Sequence, residues 1–158
     1  MSAPDAFRLT VVSGGQSGVD RAALDAALAL GLRVGGWCPR GRWAEDGPIA
    51  MRYPLRETPA ADPAQRTRWN VRDSDATLVV SPSPLGGGTR LTADAARALG
   101  RPLLVAAPTD PVDAAVRFVA RAVPPAGRLN VAGPRESEAP GVYRDARRWL
   151  ARVLRALP

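Results

Sequence analysis

Val11-Val12-Ser13-Gly14-Gly15-Gln16-Ser17-Gly18-Val19-Asp20-Arg21 decides the fold of this chain. The apolar run that begins at Leu9 stops at Ser13. Three glycines follow within five positions, Gly14, Gly15 and Gly18, and an alanine- and leucine-rich amphipathic segment starts at Val19. That order is strand, glycine turn, helix. The turn lets the backbone approach a ligand, and a helix start turns unpaired N–H groups and a positive dipole end towards it. A phosphate or another oxyanion suits such a place, although a tight turn with no ligand has the same spelling.

Outward from this stretch the pattern repeats. Strand-like runs are read at Phe7 to Ser13, Leu32 to Trp37, Ala76 to Ser81, Pro102 to Ala107 and Leu129 to Gly133. Helices are expected from Val19 to Leu30, Pro63 to Arg72, Thr89 to Leu99, in the segment opened by Pro111, and from Gly141 to Leu157. Arg40 to Pro63 has no clear period and is read as a functional or packing loop. Continuous apolar strands alternating with helices predict an α/β fold: a doubly wound, Rossmann-like parallel sheet of five or more strands with helices on both faces. The whole chain, 1–158, reads as one ligand-binding domain.

Composition narrows the chemistry. There is no histidine, which excludes a histidine-based metal site and imidazole catalysis. The single cysteine, Cys38, fits a reducing compartment, and neither a membrane span nor a signal peptide is visible, so a cytoplasmic location is expected. The net charge is +7, and all 22 basic residues are arginine. They are scattered along the chain, which argues against a nucleic-acid partner.

In a parallel sheet the loops after the first and third strands open on one edge. Ser13, Gly14, Gly15, Gln16, Ser17 and Gly18 are therefore expected to line a crevice together with Gly86, Gly87, Gly88 and Thr89. Neither turn is a nucleotide-triphosphate loop, since the chain has no lysine. Asp20 suits the helix dipole, and Arg21 can clamp an oxyanion. Glu45 and Asp46 lie beyond the second strand on the same edge and can act as a base or accept a ligand N–H. Trp43 lies in the same loop, and an aromatic beside a glycine loop can stack on a planar ring. Core packing is expected for Trp37 and Trp69.

Several of these segments together are similar to the molybdenum cofactor carrier family. They are Ser13 to Asp25, Gly36 to Gly41 with Ala44 to Gly47, Arg66-Thr67 with Asn70-Val71 and Asp73 to Asp75, Gly87 to Thr89, and Leu129 to Arg135 with Tyr143. The resemblance implies a Rossmann-like fold related to the lysine-decarboxylase-like (LOG) proteins. It implies a carrier or binding protein for an anionic small molecule, the molybdenum cofactor or molybdate, and a homo-oligomer. The LOG phosphoribohydrolases carry Pro-Gly-Gly-x-Gly-Thr-x-x-Glu, whose glutamate serves catalysis. Here Leu85 replaces a glycine and Thr92 stands at the glutamate's place. A LOG-like nucleotide phosphoribohydrolase and a nucleotide-sensing module remain the alternatives. Small residues on two helices, Ala22, Ala23, Ala26 and Ala27 and then Ala93, Ala95, Ala96 and Ala98, are expected to form a face for self-association.

Overall fold

A computed structural model describes residues 8–158. Phe7, the expected start of the first strand, lies outside the described residues. Five parallel strands form the main sheet: β1 (Thr10–Val12), β2 (Arg33–Gly35), β5 (Ala76–Val80), β6 (Leu103–Ala106) and β7 (Arg128–Ala132). Their spatial order is β2-β1-β7-β5-β6. Five helices complete the fold: α1 (Val19–Ala29), α2 (Pro63–Arg72), α3 (Gly87–Ala98), α4 (Asp113–Ala122) and α5 (Val142–Arg155). The doubly wound, Rossmann-like α/β architecture read from the sequence is the one observed. No helix of the described residues is long and apolar enough to cross a membrane.

Strand side chains alternate between the two sheet faces, and the faces differ in chemistry. Leu9, Val11, Ala76, Leu78, Val80, Leu129 and Val131 join α1, α4 and α5 in one apolar core. α5 supplies it with Val142, Ala146, Trp149, Leu150 and Val153, the spacing of one helical face. Ala22, Ala23, Ala26 and Ala27 of α1 are buried there too, each at most 2% exposed. This corrects the expected role of these alanines. They let α1 approach its neighbours inside the chain and present no face to a second copy; of the four alanines named on α3, Ala93 and Ala96 are buried likewise, Ala95 is half-buried and Ala98 is exposed. The intervening positions include Thr77 and Asn130 on the other face, where the Asn130 amide donates to the Thr77 hydroxyl at 3.3 Å. α2 and α3 pack against each other.

The second strand is shorter than its apolar run suggested. Gly36, at φ 128°, diverts the chain out of the main sheet, where a side chain would collide with the Ser13 carbonyl. β3 (Trp37–Cys38) then pairs in parallel with β4 (Arg56–Glu57), a strand the sequence pattern did not reveal. The loop between them has its own small core of Ala44, Ile49, Tyr53 and Leu55 with Cys38 and Leu24. Cys38 is fully buried, and that burial raises its thiol above its ordinary pKa.

Candidate functional site

The first glycine turn is closed on itself. Gly15 N–H donates to the Ser13 hydroxyl at 3.2 Å, Gln16 N–H to a carboxylate oxygen of Asp20 at 3.4 Å, and Ser17 N–H to Gln16 Oε1 at 2.9 Å. Val19 N–H donates to the Pro134 carbonyl at 3.2 Å. Four donors of this turn are thus spent inside the chain, while the N–H groups of Gly14 and Gly18 have no partner among the described residues. Asp20 supplies the acceptor for Gln16 N–H within the turn. It is 6% exposed, and burial raises its pKa to about 6 against the opposing pull of Arg66.

The second glycine turn is open. Its helix starts at Gly87, two residues before the expected position, so Gly87, Gly88 and Thr89 form the first turn of α3. Gly86, the N-cap, provides no side-chain cap. The N–H groups of these three residues make no hydrogen bond among the described residues, as the first turn of any helix requires an outside acceptor. The Thr89 hydroxyl, in a residue 6% exposed, also has no partner among them.

These groups face a cavity of about 220 Å³. Gly14, Gln16 and Asp20 line it from the first turn, Arg66, Thr67 and Asn70 from α2, and Asn130, Ala132 and Gly133 from the end of β7. Arg66 is 9% exposed. Its Nη1 donates to the Gly14 carbonyl at 2.8 Å and its Nε to the Thr67 hydroxyl at 3.3 Å. No carboxylate lies within 4 Å of it among the described residues. Arg66 therefore lacks a direct ion pair, though it is coupled at longer range to the buried Asp20 on the opposite wall, and it lies beside an open helix start whose N–H groups and dipole favour an acceptor.

The other expected residues lie elsewhere. Ser17, Gly18, Arg21, Glu45 and Asp46 line a separate, wider cavity of about 820 Å³. Arg21 is engaged there: it pairs with Asp46 at 3.0 Å and donates to the Gly15 carbonyl. Glu45 is a clasp. It accepts from the Ser17 hydroxyl, and from the N–H of Ser137 at 3.1 Å and its hydroxyl at 2.5 Å. These bonds from Ser137 and Ser17 hold the Glu45 carboxyl below its ordinary pKa. The segment after β7 is thereby fastened to the first glycine turn. Ser13, Gly15 and Gly86 line neither cavity. Gly15, at φ 77°, faces the loop core, where a Cβ would stand 2.7 Å from Leu55.

The strand order carries a further regularity. Counted from β7, the sheet order β2-β1-β7-β5-β6 becomes 3-2-1-4-5, the order of a Rossmann sheet whose first strand has moved to the C-terminal end of the chain. The model of the circularly permuted YpsA SLOG family matches residues 11–154. The chain belongs to that family. None of the curated proteins matches this SLOG chain. Among solved structures, the crystal structure of a "Putative molybdenum carrier protein" from Syntrophus aciditrophicus SB is similar. It is 37% identical, with 96% of each chain covered and a TM-score of 0.85.

In this SLOG chain the order reverses between β7 and β5, and the smaller cavity opens there, at the ends of the strands. The loops after the first and third strands were expected to line one crevice if their strands flank the switch, and Gly14 and Gln16 do share this cavity with Gly87, Gly88 and Thr89. β7 lies between those two strands, so Asn130, Gly133 and Arg135 enter the cavity wall. Arg66 was visible only as part of a resembling motif. Its signal, an arginine and a threonine in the first turns of a helix that holds few apolar residues, does not distinguish a buried side chain from a solvated one.

Proposed function

We propose that this protein is a cytoplasmic binding or carrier protein for a phosphate-bearing or oxyanionic small molecule, held in the cavity between β7 and α3. The observation that carries this reading is Arg66, buried without a carboxylate within 4 Å and sharing its cavity with the unpartnered N–H groups of Gly87, Gly88 and Thr89. In this reading those three residues and Arg66 hold the anion. Gly14, Gln16 and Asp20 form the opposite wall. Ser13, Gly15, Ser17, Gly18, Glu45 and Gly86 shape the turns, and Arg21 with Asp46 braces the rim. Family membership and the name of the similar structure make the molybdenum cofactor and molybdate the first ligands to try. Self-association remains part of the proposal and must use a surface other than the buried alanines of α1.

Gly88→Asp tests the site. Nothing stands within 4 Å of a Cβ built on Gly88, and an aspartate in the first turn of a helix favours folding. The variant should fold normally and lose calorimetric binding of sulfate, phosphate and molybdate, because a carboxylate replaces the anion at the helix start. Unchanged affinity in the folded variant refutes the assignment. Incubation with nucleoside monophosphates should release no free base on chromatography. The Thr92 hydroxyl, at the place of the LOG glutamate, donates to the Gly88 carbonyl at 3.0 Å.

A further inference from the structure

Trp43 has no role in the fold described so far. It is 48% exposed and belongs to neither apolar cluster, and its indole N–H makes no hydrogen bond among the described residues. Trp37 and Trp69, by contrast, pack edge to face at 4.8 Å. A single exposed aromatic is ordinary on a protein surface, but the backbone around this one is fixed on both sides. Arg42, immediately before it, has φ 54°, a left-handed conformation that a non-glycine residue adopts only under constraint. The constraint is visible: the Arg42 guanidinium donates to the carbonyls of Ile49, Ala50, Tyr53 and Leu55 at 2.8 to 3.1 Å. Immediately after it, Ala44 is buried, and the Glu45 N–H is pinned to Gln16 Oε1 at 2.9 Å. Strain of this kind gathers where a loop must present a side chain in one place. The place is the wall of the anion cavity, which Trp43 shares with Arg66 and Thr89.

We propose that Trp43 is a stacking platform for a planar heteroaromatic ring joined to the bound anion, so that the ligand is a ring-bearing phosphate and not a bare oxyanion. This inference rests on the anion reading of the cavity. The volume supports it. Small-molecule sites usually enclose roughly 300–1,000 Å³, whereas this cavity holds about 220 Å³. A cavity below that range leaves part of a ring-bearing phosphate outside it, and the half-exposed indole of Trp43 lies on its wall. A tryptophan face offers stacking to any flat ring and adds little where the ligand has none. Trp43 therefore discriminates between ligand classes, while Arg66 and α3 serve them all.

The experiment is calorimetric titration of the full chain, Trp43→Ala and Trp43→Phe with inorganic phosphate, ribose 5-phosphate and the 5′-monophosphates of adenosine and guanosine. One stacked base is worth about tenfold or more in affinity, so a nucleotide should bind the wild type at least about tenfold more tightly than ribose 5-phosphate. Trp43→Ala should erase that gain and leave ribose 5-phosphate and phosphate unchanged, and Trp43→Phe should keep most of it. Tryptophan emission should be quenched by the nucleotide in the wild type and not in Trp43→Phe, which retains the three other tryptophans. Equal binding of ribose 5-phosphate and both nucleotides, or equal weakening of every probe by Trp43→Ala, overturns the inference. Ribose 5-phosphate that binds and is lost in Gly88→Asp, with no gain from a ring, leaves the anion reading standing. Failure of every phosphate to bind removes both.

Discussion

Asp20→Asn should stabilise this protein at neutral pH and leave it unaffected in acid. The carboxyl is 6% exposed, its pKa is raised from 3.8 to about 6 by burial, and Arg66, Arg21 and two N–H donors only partly offset that burial. A raised pKa means that the folded state holds the Asp20 proton more tightly than the unfolded chain. Below about pH 4 both states are protonated and ionisation imposes no cost. Between about pH 4 and 6 the unfolded chain releases its proton first, so stability falls as pH rises. At about 1.4 kcal/mol per pKa unit, the rise from 3.8 to about 6 makes ionised Asp20 cost the fold about 3 kcal/mol at neutral pH. Asparagine keeps the shape and its Oδ1 can accept from Gln16 N–H, while its NH2 cannot accept from Gly133 N–H as a carboxylate oxygen does, so the loss of that weaker interaction is set against the removal of the charge. Urea unfolding of both proteins at steps from about pH 4 to 8 should show the stability difference growing by up to about 3 kcal/mol in favour of Asp20→Asn. Comparing the two proteins cancels the other carboxylates, which titrate in both. The same charge opposes a ligand anion. Sulfate, whose own charge is constant over this range, should bind wild type up to about tenfold more weakly per pH unit above about 6 and bind Asp20→Asn with little pH dependence. A stability difference constant to within about 1 kcal/mol across the range would refute the argument that buried, ionised Asp20 is unfavourable.

Gly15→Ala should destabilise strongly, by about 2 kcal/mol or more, because the position combines a left-handed backbone with a Cβ 2.7 Å from Leu55. Gly31→Ala, at φ 73° with open space around it, should cost only about 1 kcal/mol, and chemical denaturation of the pair separates the clash from the backbone effect. Glu45→Gln should weaken the clasp on the segment after β7 and speed hydrogen exchange at the amides of Glu136 and Ser137, whose acceptors are the Ser17 hydroxyl and Glu45. Since its hydrogen bonds lower the Glu45 pKa, the wild-type clasp should also loosen as pH falls through that lowered value. Exchange at these two amides that is the same in both proteins would count against the clasp.

The sequence by itself determined what local patterning can specify. Apolar runs, helical stripes and turn residues, among them the glycines that end α1 and α3, marked all five main-sheet strands and all five helices, because strand and helix periods are read over a few neighbouring residues. The two glycine turns were placed on one sheet edge, since parallel connectivity leaves no other choice. Tertiary structure decided the rest, because it depends on partners distant along the chain. β4 pairs over only two residues, too few to leave a period. β7 enters the middle of the sheet, and no local signal distinguishes a central strand from an edge strand when each is a short apolar run. How open each glycine turn stays depends on Ser13, Asp20, Gln16 and Pro134 taking up four donors of the first, while the start of α3 meets no such acceptors among the described residues. Arg66 reaches the Gly14 carbonyl from α2, and Glu45 reaches Ser137 across most of the chain. Hydrogen-bond saturation and burial of charge are properties of the assembled molecule, and they turn two similar glycine turns into one braced turn and one open helix start.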